Sequence, residues 1–191
     1  MQNIHHTLIP TLWLLWLAVW TVSAFRTKPV VRAESFASRL SHIVPLCLGV
    51  ALLTSSRSAG SFLATRLYTQ TEWTFWSGAA LVALGLAFAV WARVHLAGNW
   101  SGTVTLKQDH SLTRSGPYHL VRHPIYTGIL LAILGNAIAV AEWRGIVALA
   151  LIAVAFCRKI VTEEGFLTAQ FGEAYARYRA EVPALIPWSR R

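Results

Sequence analysis

Apolar stretches separated by short, arginine-bearing polar breaks organise the whole chain. A helix crossing the hydrocarbon of a bilayer needs about 20 apolar residues. The first stretch, residues 8–25, reads LIPTLWLLWLAVWTVSAF and places Trp13, Trp16 and Trp20 at or near the interfaces. No Lys or Arg precedes it and no small-x-small cleavage site follows cleanly, so it is expected to stay as a span rather than leave as a signal peptide. The second covers 40–55, is interrupted by Pro45 and has an open continuation towards Leu63. The third, 73–95, opens on Trp73, Phe75 and Trp76 and closes on Trp91 and Arg93. The fourth runs from Pro124 to 141, and after the break Glu142-Trp143-Arg144 the fifth occupies 145–157. These last two predict a tight helical hairpin. The fifth has only ~13 apolar residues, so it is expected to tilt little or to continue into the next helix. Five spans are expected, with four as the alternative count.

The C-terminal segment RKIVTEEGFLTAQFGEAYARYRAEVPALIP keeps a helical period, with Ile160, Leu167, Phe171, Tyr178 and Val182 on one stripe and Pro183 ending it. Glu164 lies on that stripe and Glu163 on its flank, an acidic pair at the packing edge of a helix that begins at the membrane surface. The bland alternative is a solvated face on which Lys159 and Glu163, four apart, pair for a few tenths of a kcal/mol. The other polar segment, GNWSGTVTLKQDHSLTRSGPYHLVRHPIYTG, has apolar residues too sparse for a strand pair of any size and a turn at Ser115-Gly116-Pro117. Pro124 starts the fourth helix at its first turn, where a missing N–H costs nothing. The free N–H groups there, beside Arg122 and His123, predict an anion site. Against this stands the ordinary reading of Arg122 as a positive anchor, His123 as an interfacial polar residue and Tyr126 as part of an aromatic belt.

Composition narrows the class. Of the 191 residues 55% are hydrophobic and 13% charged, too few polar groups to cover such a core in water, so one compact membrane domain is expected. The 17 Lys+Arg against 8 Asp+Glu give a net charge of +9, which in a soluble protein would suggest nucleic acid. Here the basic residues lie between apolar runs, with no basic stripe interleaved with exposed aromatics, so they read as topology signals and anionic-lipid contacts; no nucleic-acid partner is expected. With the N-terminus outside, thirteen Lys/Arg fall on the cytoplasmic face and three, Arg57, Arg66 and Arg144, on the other, with Arg93 at the inner end of the third span. That excess predicts N-out, C-in, and puts residues 98–123 and 158–191 on the cytoplasmic side. Cys47 and Cys157 sit inside apolar runs without CxxC spacing or a nearby ligand set; they are expected to be small buried hydrophobes, with no disulfide and no metal. No internal repeat is present, and no span has the central charge that transporters use. A non-catalytic lipid-binding protein is the remaining alternative, and an acidic pair among so few carboxylates argues against it.

The two polar segments together, RHPIYTG preceded by SGPYHLV and EEGFLTAQFGEAYARYRAEVPALIP a hairpin later, resemble the isoprenylcysteine carboxyl methyltransferase family and its relatives among phospholipid methyltransferases. The resemblance covers residues 98–187 and rests on the joint occurrence of RHPxYxG and EExxLxxxFGxxYxxYxxxVPxxIP. It implies an all-α polytopic membrane enzyme of about five transmembrane helices, with a cytoplasmic cofactor-binding loop and a C-terminal helix. Residues 1–97 would supply the first three spans and 98–191 the catalytic region. The implied cofactor is S-adenosylmethionine, bound without a Rossmann domain, and the sequence has no GxGxxG. By the same resemblance Asn99, His110, Leu112, Thr113, Tyr118, His123, Pro124, Ile125 and Tyr126 line the cofactor, and Glu163 is suited to its amino group or ribose. Lys159 falls where animal members carry a substrate-side arginine, and Arg158, one residue earlier, shares that cationic role. The spacing from Asn99 to His110 is shorter than in animal members, a departure in the middle of the loop. The implied partner is a lipophilic small molecule or lipid. A carboxylate acceptor needs no base at neutral pH, an amine must first lose a proton to Glu163, Glu164 or His123, and a thiol must become thiolate.

Overall fold

The structure, a computed structural model, describes residues 2–24, 30–54, 60–96, 105–107 and 112–187. In chain order the elements are α1 (Gln2–Ala24), β1 (Val30–Ala33), α2 (Phe36–Thr54), α3 (Gly60–Leu63), α4 (Glu72–Leu96), β2 (Thr105–Lys107), α5 (Pro117–Leu120), α6 (Pro124–Val140), α7 (Trp143–Phe171) and α8 (Glu173–Glu181). Among the described residues the fold is all-helical apart from one two-stranded antiparallel pair, β1 with β2, in which Val30 faces Lys107 and Ala33 faces Thr105. The sequence predicted no such pair. The protein is a multi-pass membrane protein: α1, α2, α4 and α7 are long and apolar enough to cross a membrane, and α6 is a shorter apolar helix.

The bundle is built around α4 and α6, which run antiparallel at backbone contact. Buried α4 residues recur at Phe75, Gly78, Val82, Gly85, Ala89 and Ala92, alternating steps of three and four that keep one seam facing its partner. On α6 the seam is Gly128, Ala132, Gly135 and Ala139. A Cβ on Gly78 would stand 2.5 Å from the Gly135 carbonyl oxygen, and a Cβ on Gly128 would stand 2.5 Å from that of Gly85. Between apolar helices in lipid the attraction comes from close van der Waals packing, which small residues permit. On one side α1 lays Ile9, Leu12, Trp13 and Trp16 against Val82, Leu86 and Ala132. On the other, α2 packs on α7, where Leu46 and Leu53 meet Ile133, Ile152 and Phe156.

The turn between α6 and α7 is as tight as predicted. Ala141, fully buried, takes a left-handed conformation (φ 58°) and α7 starts two residues later. The last carbonyls of α6 are satisfied from the α3–α4 connection, Ile138 by the Tyr68 hydroxyl and Ala139 by Gln70 Nε2, both at 2.6 Å. Arg144 donates to the carbonyls of Leu52 and Leu53 at the end of α2.

Several expectations change. The marginal span is α6, 17 residues and so ~26 Å long, while α7 runs unbroken for 29 residues, ~44 Å, and extends past any hydrocarbon core of about 30 Å. The apolar sequence of the fifth stretch is short because its helix continues into the polar segment. That segment is not one helix ended by Pro183: the chain breaks at Gly172 (φ 51°) and α8 folds back, so Tyr175, Tyr178 and Val182 close on Leu167 and Phe171. The second span begins at Phe36 and is helical to Thr54; residues 55–59, through which a continuation to Leu63 would pass, lie outside the described residues. Cys47 and Cys157 lie exposed on the outer faces of α2 and α7 rather than buried.

Candidate functional site

The helix ends gather the polar residues at one end of the bundle, where α4 finishes, α6 begins and α7 projects. There the two motif segments meet. Arg122 N–H and His123 N–H donate to the carbonyls of Pro183 (2.8 Å) and Ala184 (3.0 Å), and the Thr127 hydroxyl donates to that of Leu185 (2.7 Å). The RHP turn is thus clasped by the stretch after α8.

The acidic pair of α7 faces this turn. Glu164 is buried, and its Oε1 accepts from Arg122 Nε at 2.9 Å, Arg122 Nη2 at 2.7 Å and His123 Nε2 at 3.2 Å, while Arg179 Nε stands 3.4 Å from Oε2. The Arg122 Nη1 donates to the carbonyls of Arg179 and Val182. Glu163 sits differently. Its Oε1 accepts the Tyr126 hydroxyl at 2.5 Å, its Oε2 is 3.5 Å from His123 Nδ1, and its side chain keeps 22% of its surface exposed. Tyr126 is stacked between His123 (5.7 Å, 8°) and Phe156 (4.7 Å, 22°), and Lys159 Nζ lies 5.5 Å from its ring centre. Burial alone would lower the His123 pKa, but hydrogen bonds to Glu163 and Glu164 outweigh it and hold the imidazole above its ordinary value. Tyr118 is buried, donates to the Ala92 carbonyl (3.4 Å) and accepts the Tyr178 hydroxyl on its own carbonyl (2.6 Å). Burial, then the charge of Glu163, pushes its phenol upwards.

Residues 73–174 match the family described as phospholipid methyltransferase. The chain belongs to that family. It is 32% identical over 114 residues to the protein-S-isoprenylcysteine O-methyltransferase of Schizosaccharomyces pombe, covering 58% of this chain and 48% of that protein. It is 31% identical over 135 residues, 65% of this chain and 58% of the relative, to the cobalt-zinc-cadmium resistance protein CzcN of Cupriavidus metallidurans. The protein-S-isoprenylcysteine O-methyltransferase B of Arabidopsis thaliana is 25% identical over 122 residues, 62% of each chain. The chain therefore spans about half to three-fifths of the length of these curated relatives.

Within this family member the sequence-predicted residues fall into groups. His123, Tyr126, Glu163 and Lys159 come together; Pro124 is fully buried, and Ile125 packs with Ala92 and Tyr118 behind them. Leu112 joins the apolar cluster under α8 instead. Thr113 is half-buried beside it in sequence. Arg158 is not with Lys159: it is exposed in an open groove of about 540 Å³ lined by Ala37, Ser38, Ser41, Val161 and Thr162. Asn99 and His110 lie outside the described residues. The anion site expected at the start of α6 is not left open by its side chains, because Arg122 is engaged by Glu164 and two carbonyls and His123 by both carboxylates.

Two residues escaped the sequence reading. Glu34, just before α2, and His42, two turns into it, are both buried, with His42 Nε2 3.5 Å from Glu34 Oε1 and Ser38 Oγ donating to Glu34 Oε2 at 2.9 Å. The only sequence signal was a carboxylate and a histidine flanking the start of an apolar run in a chain with 8 acidic residues.

Proposed function

We propose that this chain is an integral membrane methyltransferase that moves the methyl group of S-adenosylmethionine to a lipophilic acceptor at the cytoplasmic face of a bilayer. The observation that carries the reading is the partly exposed Glu163 carboxylate, oriented by Tyr126 and His123 beside a family-defining turn. Its chemistry fits the cofactor: a carboxylate is complementary to an amino group or a pair of ribose hydroxyls, and the Tyr126 ring, stacked on Phe156, stands beside it. S-adenosylmethionine, when bound, supplies a methyl group already electrophilic on a sulfonium. The protein's task is then to hold the acceptor in line and exclude water. Glu163, Tyr126 and His123 are assigned to cofactor binding, with Asn99, His110, Thr113 and Tyr118 as the remainder of its pocket. Lys159, whose ammonium lies over Tyr126, is assigned to the acceptor, with Arg158 marking the groove by which it approaches. Chemistry is assigned to residues 98–191 and the membrane scaffold to 1–97.

The names of the yeast and plant relatives favour an isoprenylcysteine-like carboxylate acceptor, oriented by a cation. The family description favours a phospholipid amine. Purified protein given labelled S-adenosylmethionine and a whole-membrane lipid extract should yield a labelled lipophilic product, and should bind the cofactor with a Kd of ~1 μM, about −8 kcal/mol. No heat and no thermal shift at millimolar cofactor would remove the enzyme reading.

A further inference from the structure

We infer that Glu34 and His42 form a general-base dyad for this site, so that the acceptor is a nucleophile that must lose a proton. The inference rests on the methyltransferase reading and decides between its acceptor classes.

The bases of the RHP turn and of the acidic pair are already committed. Both ring nitrogens of His123 face carboxylates, Glu164 receives Arg122, and Glu163 receives the Tyr126 hydroxyl. His42 is the contrasting case. It is 4% exposed, its Nε2 is directed at Glu34, and its Nδ1 is buried without a hydrogen-bond partner. The Ser38 carbonyl approaches the ring without hydrogen-bond alignment to Nδ1, and accepts the Ser41 hydroxyl at 2.7 Å. A carboxylate on one nitrogen and a bare lone pair on the other is the arrangement that makes imidazole a base, because the carboxylate selects the Nε2–H tautomer and stabilises the cation that forms. A buried polar atom left unpaired is uncommon and calls for a partner that arrives later. Charge couples the dyad to the site: Lys159 and Glu163 on α7 act electrostatically on His42, and Glu34 on Tyr126 of α6. Ser38 and Ser41, on the same turns of α2, line the groove that holds Arg158, so the dyad stands behind the wall past which an acceptor would enter.

In the step this implies, an ammonium acceptor gives one proton to His42 Nδ1 and becomes a neutral amine. Its nitrogen forms the N–C bond as the C–S bond breaks, and the electron pair of that bond passes to sulfur, which becomes neutral. The imidazolium then releases its proton to water. A carboxylate acceptor would leave the dyad without a role.

The test uses the full chain in bilayers of phosphatidylethanolamine containing S-farnesylcysteine, with methyl-labelled S-adenosylmethionine. Mild alkali releases a methyl ester as methanol and leaves an N-methyl group in place. The expected product is alkali-stable. His42→Gln should lower kcat by about 10²-fold or more, leave KM and cofactor Kd within twofold, and remove the rise of rate with pH; Glu34→Gln should lower kcat less. In the cofactor-free protein, imidazole ¹⁵N shifts should show His42 as the Nε2–H tautomer with a bare Nδ1, and Glu34→Gln should mix the tautomers. Alkali-labile label, an unchanged kcat in His42→Gln, or no label from a protein that binds the cofactor overturns the dyad. Absence of both cofactor binding and label overturns the methyltransferase reading itself. A variant that melts well below the parent is replaced by Glu34→Gln, whose Ser38 contact is retained by the amide oxygen.

Discussion

Glu163 and Glu164 are adjacent in sequence and chemically identical, yet their surroundings assign them opposite roles, and paired substitutions separate the two. Glu164→Gln keeps volume and one acceptor oxygen but removes the charge that faces Arg122, His123 and Arg179. Breaking a buried ion pair from one side costs about 3–5 kcal/mol. The retained amide oxygen, and the exposure of Arg179 at 61%, bring the expected loss to roughly 2–3 kcal/mol. For a chain of this size that corresponds to a melting temperature lower by about 4–12 °C. Glu163→Gln keeps an amide oxygen that can still accept the Tyr126 hydroxyl, so its melting temperature should stay within about 3 °C of the parent. Its cofactor affinity should fall at least tenfold, because a charge-assisted hydrogen bond is worth about 1.5–3 kcal/mol. Melting in detergent and calorimetric titration with S-adenosylmethionine, run on parent and both variants, read the two quantities separately. Should Glu164→Gln melt with the parent while Glu163→Gln unfolds early and binds cofactor normally, the assignment is inverted and Glu164 is the ligand.

The α4–α6 seam predicts that Gly128→Val destabilises by about 3 kcal/mol through collision with the Gly85 backbone. Gly165→Ala, with nothing within 4 Å of its new Cβ, should instead stabilise by about 0.5–1 kcal/mol; both are read by thermal melting. After Cys47 and Cys157 are replaced by Ser, single cysteines at positions 114 and 181 should react with an impermeant maleimide only from the cytoplasmic side, and those at 72 and 143 only from outside. Labelling of 114 and 143 from one side would refute the alternating topology. Because His123 is raised above about 6.5, its ion pairs stabilise fully below that pH and fade as pH climbs through the folded value. The melting temperature should therefore decline from pH 6.5 upwards, and His123→Gln should flatten that decline.

The spans were legible because apolar runs survive any local context, and the arginine-bearing breaks between them mark the helix ends. Lengths were harder: α7 reads as a short apolar run because its polar half projects past the membrane, and the sequence left two outcomes open, little tilt or a continuation into the next helix, of which the second is the one formed. The break at Gly172 was hidden in a stripe that stays periodic across it, since Leu167, Phe171, Tyr178 and Val182 do end in one cluster, but by folding back rather than by running on. The grouping of residues at the site was legible only where motif and chemistry coincide, as at His123, Tyr126 and Glu163. Arg122 and Glu164 are 42 residues apart, and Glu34 acts on Tyr126 of α6 from the start of α2, so these pairings come from helix packing.

That packing explains why the RHP turn and the VPALIP stretch occur together. α6 has Pro124 at its start and no side-chain cap, so the orientation of its first turn depends on what binds the residues just before it. An extended segment containing Pro183 offers carbonyls at successive positions, and Pro183, Ala184 and Leu185 supply them to Arg122, His123 and Thr127. The same Arg122 sends its guanidinium back to the last carbonyls of α8 and to Glu164, placing a cation at a helix C-terminus and a counter-charge beside a buried carboxylate. Glu164 thereby has its charge matched within the protein. Glu163, one position along the same helix, keeps an exposed edge beside Tyr126 and Lys159. A buried pair of acids would repel and protonate if both were left unmatched. With one neutralised by the clasp, the other remains an ionised carboxylate turned towards the space where a cationic ligand can meet it.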